Sequence, residues 1–285
     1  MSINTGTIKF EMANDWGQFP SSVKLGQVPG AAVDSKDRVY ILNRGNPSLI
    51  VLDRDGNYID SLAEEVLEDP HGINVGPNST LYIADRDAHV IVLLDSDGKL
   101  GLTIGTRGRP SAEQSGMPFN RPTSAAVSSQ NDIYISDGYS NSRVHKYYAD
   151  GSLDFSWGGD GTHPGQFKLP HGICIDSQDR IFVADRENNR IQAFDEEGDF
   201  LKEWAGLLRP ADVDVDTNGN LHIAELDGRV SVLSYTGEVL ARWGEKGNGA
   251  DQFAAPHGIC VDSHGDVYVT EVGDVGRIQK FIRTT

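Results

Sequence analysis

The sequence has few cysteines, few basic residues and no long apolar run. Its 285 residues include two cysteines, so a disulfide framework is not indicated. The first residues show no basic segment followed by an apolar stretch, and no run is long enough to cross a membrane, so we expect a cytoplasmic protein without membrane partners. Lys and Arg number 25 against 42 Asp and Glu, a formal net charge of −17. Such acidity repels phosphate backbones and disfavours nucleic acid as a partner.

Glycine is abundant, at 32 residues, and one phrase recurs along the chain. It is clearest at residues 170–205, PHGICIDSQDRIFVADRENNRIQAFDEEGDFLKEWA. Each copy holds four short stretches of β-branched and alternating residues separated by turn residues, which is typical of a propeller blade. The copies open at six prolines: Pro29, Pro70, Pro122, Pro170, Pro210 and Pro256. We therefore predict an all-β, six-bladed β-propeller that forms a single domain over residues 1–285.

The sixth copy lacks a fourth strand. After Pro256 the chain holds three strand-like stretches, GICVD, DVYVTE and RIQKFI, and then ends. The segment TIKFEMANDWGQF near the N-terminus is similar to the blade-ending segment LDFSWGGDGTHPGQF. We predict that residues 7–17 supply the outer strand of the last blade. That strand would close the ring and protect an otherwise open edge.

Three histidines follow blade-opening prolines. The residue after each proline is, in copy order, Gly30, His71, Thr123, His171, Ala211 and His257. The histidines therefore lie on the innermost strands of alternate blades, about 120° apart in a six-bladed ring. Three imidazoles with one open position are typical of a catalytic zinc site, and imidazole also suits iron, copper or nickel. We predict that His71, His171 and His257 bind zinc or another divalent transition metal.

Residues just after the second strand of each copy are expected at the same mouth as the histidines, because neighbouring strands run antiparallel. Among them, Arg44, Tyr139 and Arg186 are candidate catalytic residues. Arginine pairs bidentately with carboxylates, and a tyrosine phenol can act as a general base or acid. The alternatives are surface ion pairs for the arginines and channel packing for the tyrosine.

Other polar residues are assigned to structure rather than chemistry. Asp85, Asp137 and Asp185 are expected to hold turns by accepting backbone N–H bonds. Cys174 and Cys260, at matching positions of two copies, are expected to be small buried packing residues. The remaining histidines are expected on the surface or in loops: His89, His145, His163, His222 and His264.

The copies resemble NHL repeats, and the site residues resemble the peptidyl-α-hydroxyglycine α-amidating lyase family. The segments FNRPTSAAV, SDGYSNSRV, GQFKLPHGICID and ADRENNRIQ carry this resemblance, which spans nearly the whole chain. It implies that the three histidines bind zinc and that Tyr139, Arg44 and Arg186 line the active site. It also implies cleavage of the C–N bond of an N-acyl-α-hydroxyglycine, which yields a primary amide and glyoxylate.

The chain departs from that family at several positions. Ala255 stands where the family often has methionine, and Gly258 replaces an aspartate associated with a structural calcium, which puts a calcium site in doubt. Ser140 and Ala193 occupy positions where the family's disulfide cysteines would stand. These departures indicate an intracellular, bacterial-type relative whose substrate differs from a peptide hormone precursor.

Three functions remain open. The first is a metal-dependent lyase, expected to be monomeric, that acts on a small-molecule or short-peptide substrate with a carboxylate. Ureidoglycolate-type compounds share the α-hydroxyglycine-like unit on which such a lyase acts, so they are candidate substrates too. The second is a metal-dependent hydrolase such as a propeller lactonase, although those enzymes tend to bind calcium through carboxylates and amides. The third is a non-catalytic NHL module that binds a protein or RNA. The acidic charge disfavours RNA, and a scaffold has no need of three converging histidines.

Overall fold

The computed structural model describes residues 5–63, 65–274 and 276–284. The regular structure in these ranges is almost entirely β: six four-stranded sheets and two single turns of 3₁₀ helix, at Pro77–Ser79 and Arg186–Asn188. This is a six-bladed β-propeller arrangement, as the repeat predicts. Within these ranges no helix is long and apolar enough to span a bilayer.

The chain divides into two compact units. The first comprises residues 1–64 and 211–285 and contains three of the sheets. One sheet consists of β2 (Gly30–Val33), β3 (Val39–Leu42), β4 (Leu49–Leu52) and β5 (Tyr58–Leu62). Another consists of β18 (Pro210–Val215), β19 (Leu221–Glu225), β20 (Arg229–Leu233) and β21 (Val239–Trp243). The third consists of β22 (Pro256–Val261), β23 (Val267–Glu271), β24 (Arg277–Arg283) and β1 (Phe10–Met12).

The second unit comprises residues 65–210 and contains the other three sheets. One consists of β6 (Pro70–Val75), β7 (Leu81–Asp85), β8 (Val90–Leu94) and β9 (Leu100–Gly105). The next consists of β10 (Ser124–Val127), β11 (Ile133–Asp137), β12 (Arg143–Tyr147) and β13 (Leu153–Gly158). The last consists of β14 (Pro170–Ile175), β15 (Ile181–Asp185), β16 (Arg190–Phe194) and β17 (Phe200–Ala205). The single-domain assignment stays a prediction.

The N-terminal strand completes the last blade, as predicted. Strand β1 pairs antiparallel with β24, with Phe10 opposite Arg283 and Met12 opposite Phe281. The strand is shorter than the predicted residues 7–17, but Phe10 is buried and its ring stacks on Trp243 at 4.8 Å. The sheet order β1-β24-β23-β22 therefore joins the two chain ends in one blade and covers the edge of β24.

The middle strands of the blades are buried on both faces. Strands β7, β8, β15 and β16 are buried at every position, whereas the outer strand β13 has no fully buried residue. Side chains of β7 and β8 pack against those of β10 and β11; Tyr82, Ile91 and Ile135 are among them. Burial on both faces explains why these strands read as continuous apolar runs rather than alternating ones.

The first repeat copy is shifted by one residue from the predicted alignment. His257 Nδ1 contacts the carbonyl oxygen of Pro29 at 2.7 Å, just as His71 Nδ1 contacts the carbonyl oxygen of Thr123 at 2.8 Å. Pro29 rather than Gly30 therefore occupies the position that histidine holds in the alternate copies. The prediction failed there because a proline stands one residue later in the first copy than in the others.

A half-buried carboxylate in β18 makes stability depend on pH. Asp212 accepts a hydrogen bond from the Ile259 amide at 3.0 Å. Burial, reinforced by the nearby Asp214 carboxylate, raises the pKa of Asp212 to about 8 from an ordinary value of 3.8. Between these two values the folded protein keeps a proton that the unfolded chain releases. The free energy of unfolding therefore falls as pH rises, by at most about 1.4 kcal/mol per pH unit for one group.

We expect Asp212→Asn to remove this dependence, because the amide oxygen can still accept the Ile259 bond but carries no titrating proton. Urea unfolding of both proteins at pH 5.5 and 8.5 measures the effect. The stability of the natural protein relative to the variant should fall at the higher pH. Parallel pH profiles for the two proteins would refute the assignment.

Candidate metal centre

Two of the three candidate histidines lie at the start of inner strands in the second unit. His71 is the second residue of β6 and His171 the second residue of β14, and both are almost completely buried. Their ring centroids are 4.7 Å apart, with the rings inclined at 65°. The matched position of the intervening blade is Thr123, whose backbone N–H bonds to Ser136 and whose carbonyl oxygen faces His71.

Backbone carbonyls fix the orientation of two imidazoles. The Nδ1 atoms of His71 and His257 lie 2.8 and 2.7 Å from the carbonyl oxygens of Thr123 and Pro29, respectively. Since a carbonyl oxygen can only accept a hydrogen bond, Nδ1 carries the proton in both rings. This leaves Nε2 with the lone pair, which is the arrangement that metal-ligating histidines show. The donor set therefore fits a divalent transition metal.

All three predicted ligands are buried. His71 and His171 belong to the second unit and His257 belongs to the first. These three buried histidines could hold a metal ion.

Tyr139 lies directly beside two of these histidines. It follows β11, and its hydroxyl oxygen lies 3.1 Å from Nε2 of His71 and 3.4 Å from Nε2 of His171. Its ring meets the His71 ring edge to face, with centroids 5.3 Å apart. The phenol is therefore aimed at the ligand nitrogens rather than packed away from them.

Comparisons with known proteins agree with this fold. The NHL repeat family matches residues 119–147, 167–194 and 253–281. NHL repeat-containing protein 3 of Homo sapiens is 32% identical over 308 residues, which cover 99% of this chain and 86% of that protein. The chain belongs to the NHL repeat-containing protein 3 family.

This NHL repeat protein is also similar to amidating lyases. The probable peptidyl-alpha-hydroxyglycine alpha-amidating lyase of Caenorhabditis elegans is 27% identical over 205 residues, or 62% of this chain and 58% of that protein. A solved gluconolactonase from Xanthomonas campestris superposes with a TM-score of 0.68 at 17% identity, over 92% of this chain and 87% of that one. The latter likeness shows the propeller fold alone.

Two arginines of the NHL repeat protein stack on the Tyr139 ring. The guanidinium carbon of Arg186 lies 5.7 Å from the ring centroid and that of Arg86 lies 5.4 Å from it, both within cation–π range. Arg186 was a predicted site residue. Arg86, which also follows the second strand of its copy, was not among the candidates. Both follow the same Ala-Asp phrase in their copies, and this shared position was the signal that could have identified Arg86.

Carboxylates hold these arginines in place. Nε of Arg186 donates to Glu187 at 2.9 Å, and Nη2 of Arg86 is ion-paired with Asp69 at 2.7 Å. Although burial acts against the charged guanidinium, the carboxylates of Asp69 and Asp87 raise the pKa of Arg86 above its ordinary value. The Arg86 guanidinium therefore stays cationic beside Tyr139.

The third predicted arginine, Arg44, belongs to the first unit. It follows β3, its side chain is partly buried, and its Nη1 donates to the Gln27 side chain at 3.0 Å. The backbone N–H of Arg44 also donates to the Gln27 carbonyl oxygen at 2.8 Å. The loop before β2 thus fixes Arg44, and its role in the site stays a prediction.

The repeated aspartates accept backbone N–H bonds, as predicted. The carboxylate of Asp85 binds the N–H of Asp69 at 2.7 Å, and that of Asp185 binds the N–H of Lys168, also at 2.7 Å. Asp137 does the same for Asn120 at 3.0 Å. Each contact holds the segment that enters the inner strand of the same blade, so these carboxylates fix the approach to the histidine positions.

The prediction for two of the remaining histidines was wrong. His145 in β12 and His222 in β19 are buried in strands rather than exposed in loops. His145 contacts Ser156 Oγ at 2.7 Å and Asp137 Oδ2 at 3.3 Å, whereas His222 contacts Asp216 at 3.3 Å. Strands covered on both faces bury their polar residues too, which alternation cannot reveal. His163 and His264 are exposed, and His89 lies in a turn, as expected.

Cys174 and Cys260 are buried cysteines that are not joined in a disulfide, and burial was expected for both. Burial, with the nearby carboxylates of Asp214, Asp212 and Asp262, raises the pKa of the Cys260 thiol well above its ordinary value. The thiol therefore acts as a small apolar group in the strand.

Proposed function

We propose that the NHL repeat protein is a zinc-dependent lyase that cleaves an N-acyl-α-hydroxyglycine to a primary amide and glyoxylate. The observation that carries this proposal is the phenol of Tyr139, held within 3.4 Å of Nε2 of both His71 and His171. The 27% identity to an amidating lyase supports it. A pure interaction module would not require a half-buried phenol at two converging imidazoles.

The residues have separate roles in this reaction. Oη of Tyr139 accepts the proton of the substrate α-hydroxyl. As the hydroxyl carbon becomes the aldehyde carbon of glyoxylate, the C–N bond breaks and its electron pair stays on nitrogen. The proton then passes from Tyr139 to that nitrogen, which completes the primary amide.

The substrate carboxylate is assigned to the arginines. Arg186 uses only Nε for Glu187, so its terminal nitrogens can form a bidentate pair with a carboxylate. Arg44 is the second predicted carboxylate anchor. A divalent ion bound to His71, His171 and His257 would supply Lewis acidity for an oxygen of the substrate. The substrate is then a small molecule or short peptide that ends in this carboxylate, and the protein acts as a monomer.

Metal analysis and a glyoxylate assay test the proposal together. We expect about one transition metal ion per chain and glyoxylate release from α-hydroxyhippurate. Dialysis against a chelator should abolish release, and added zinc should restore it. A protein purified without chelator that contains no transition metal would refute the proposal. Opening of a lactone without glyoxylate release would favour a hydrolase instead.

A further inference from the structure

A cavity of about 550 Å³ lies in the first unit, next to the segment that carries His257. Ala254, Ala255 and Val272 form its apolar part, and Asn248, Asp274 and Arg277 contribute polar groups. Ala255 precedes His257 by two residues, which is about 7 Å along an extended strand. The cavity therefore opens beside one of the three histidines. Resting on the lyase function above, we propose that it binds the N-acyl group of the substrate and selects uncharged, aromatic-sized acyl groups.

Hydrogen bonds hold the lining segments of the cavity in place. The buried carboxylate of Glu271 accepts the backbone N–H bonds of Ala254, at 2.6 Å, and Ala255, at 3.2 Å. The N–H of Val272 donates to the Ala255 carbonyl oxygen at 3.2 Å. These contacts fasten the two sides of the cavity to each other, so its apolar surface is preformed rather than assembled on binding.

The charges around the cavity are largely cancelled. Glu271 is ion-paired with Arg277, whose Nη1 also donates to the carbonyl oxygens of Asn248 and Gly249 at 3.2 Å. The remaining charged lining residue is the exposed Asp274, which disfavours an anionic occupant. An uncharged acyl group therefore fits better than a second carboxylate, which has no arginine available here.

The size of residue 255 distinguishes this blade from the others. The matched residue before the blade-opening proline is Asp69, Arg121, Leu169 or Arg209 in copies two to five. Ala255 is smaller than all four of these residues. Arg121, Leu169 and Arg209 have φ values between 53° and 74°, whereas Ala255 has no positive φ. A leucine at position 255 therefore meets no backbone strain.

The test compares acyl groups of two sizes on the zinc-loaded protein. We expect Ala255→Leu to lower kcat/KM at least tenfold for α-hydroxyhippurate, which carries a benzoyl group, and less than threefold for N-acetyl-α-hydroxyglycine. Ala149→Leu, the same change in the exposed turn between β12 and β13, should alter neither value. An equal loss for both substrates, or no loss for either, would overturn the proposal. If Ala255→Leu does not fold, Val272→Phe fills the same cavity from its other side.

A binding measurement tests the acyl-group cavity independently of the proposed lyase activity. Should the natural protein release no glyoxylate from either substrate, the lyase proposal fails. Calorimetry with benzoylglycine and N-acetylglycine then tests the cavity alone. We expect benzoylglycine to bind more tightly than N-acetylglycine and to lose at least tenfold in affinity with Ala255→Leu. Equal affinities, or an affinity for benzoylglycine that Ala255→Leu leaves unchanged, would show that the cavity does not bind the acyl group.

Discussion

His171→Ala should lower zinc affinity by more than 100-fold and reduce glyoxylate release to background. Loss of a residue that only orients a ligand already costs 10- to 100-fold in metal affinity, so loss of one of three ligands should cost more. The variant should still fold, because alanine occupies the matched position of another blade as Ala211. Metal content after gel filtration and competition with a chromophoric chelator measure the change.

The matched control is His163→Ala. His163 lies in the same unit, in the exposed loop before β14, and its side chain is not among the converging imidazoles. Metal content and turnover should stay at the level of the natural protein. If His171→Ala kept full metal content, the ion would have to bind elsewhere and the candidate centre would be wrong.

Repeat patterns predicted most of the fold because each blade uses the same local chemistry. Turn residues recur between strands, and the apolar runs correspond to middle strands buried on both faces. The same argument explains the errors. Pro29 misled the alignment because proline marks the blade start in five copies but stands one residue later in the first. His145 and His222 were misplaced because burial of a middle strand is set by neighbouring blades, not by its own sequence.

The repeat register predicts which residues occupy the same position in different blades. The three histidines share one such position, and all three are buried. The repeat register does not predict the direction of a side chain. For this reason Arg86 could not be distinguished from a surface arginine in the sequence. Its cation–π contact with Tyr139 depends on the ion pair with Asp69, which is formed by a different loop. The Ala255 cavity likewise depends on Glu271 holding the opposite segment.

Tyr139→Phe is expected to lower kcat by about 10² to 10⁴, the usual contribution of a general acid or base. KM should change little, because the arginines assigned to the substrate carboxylate are untouched. Phenylalanine keeps the ring that Arg86 and Arg186 cover, so the packing beside His71 should persist. The variant removes the hydroxyl alone, which makes it a test of proton transfer rather than of folding.

Metal content separates the two possible roles of the phenol. As a proton acceptor, Tyr139 can lose its hydroxyl without loss of zinc. If Tyr139 were instead a metal ligand or a structural support for His71, removal of its hydroxyl would release zinc. The variant would then lose zinc together with activity. Tyr148→Phe is the matched control, since Tyr148 is exposed in the turn after β12 and should leave both quantities unchanged. A Tyr139→Phe protein with full turnover would mean that another group takes the hydroxyl proton. The 3.1 Å contact with His71 would then be a packing contact.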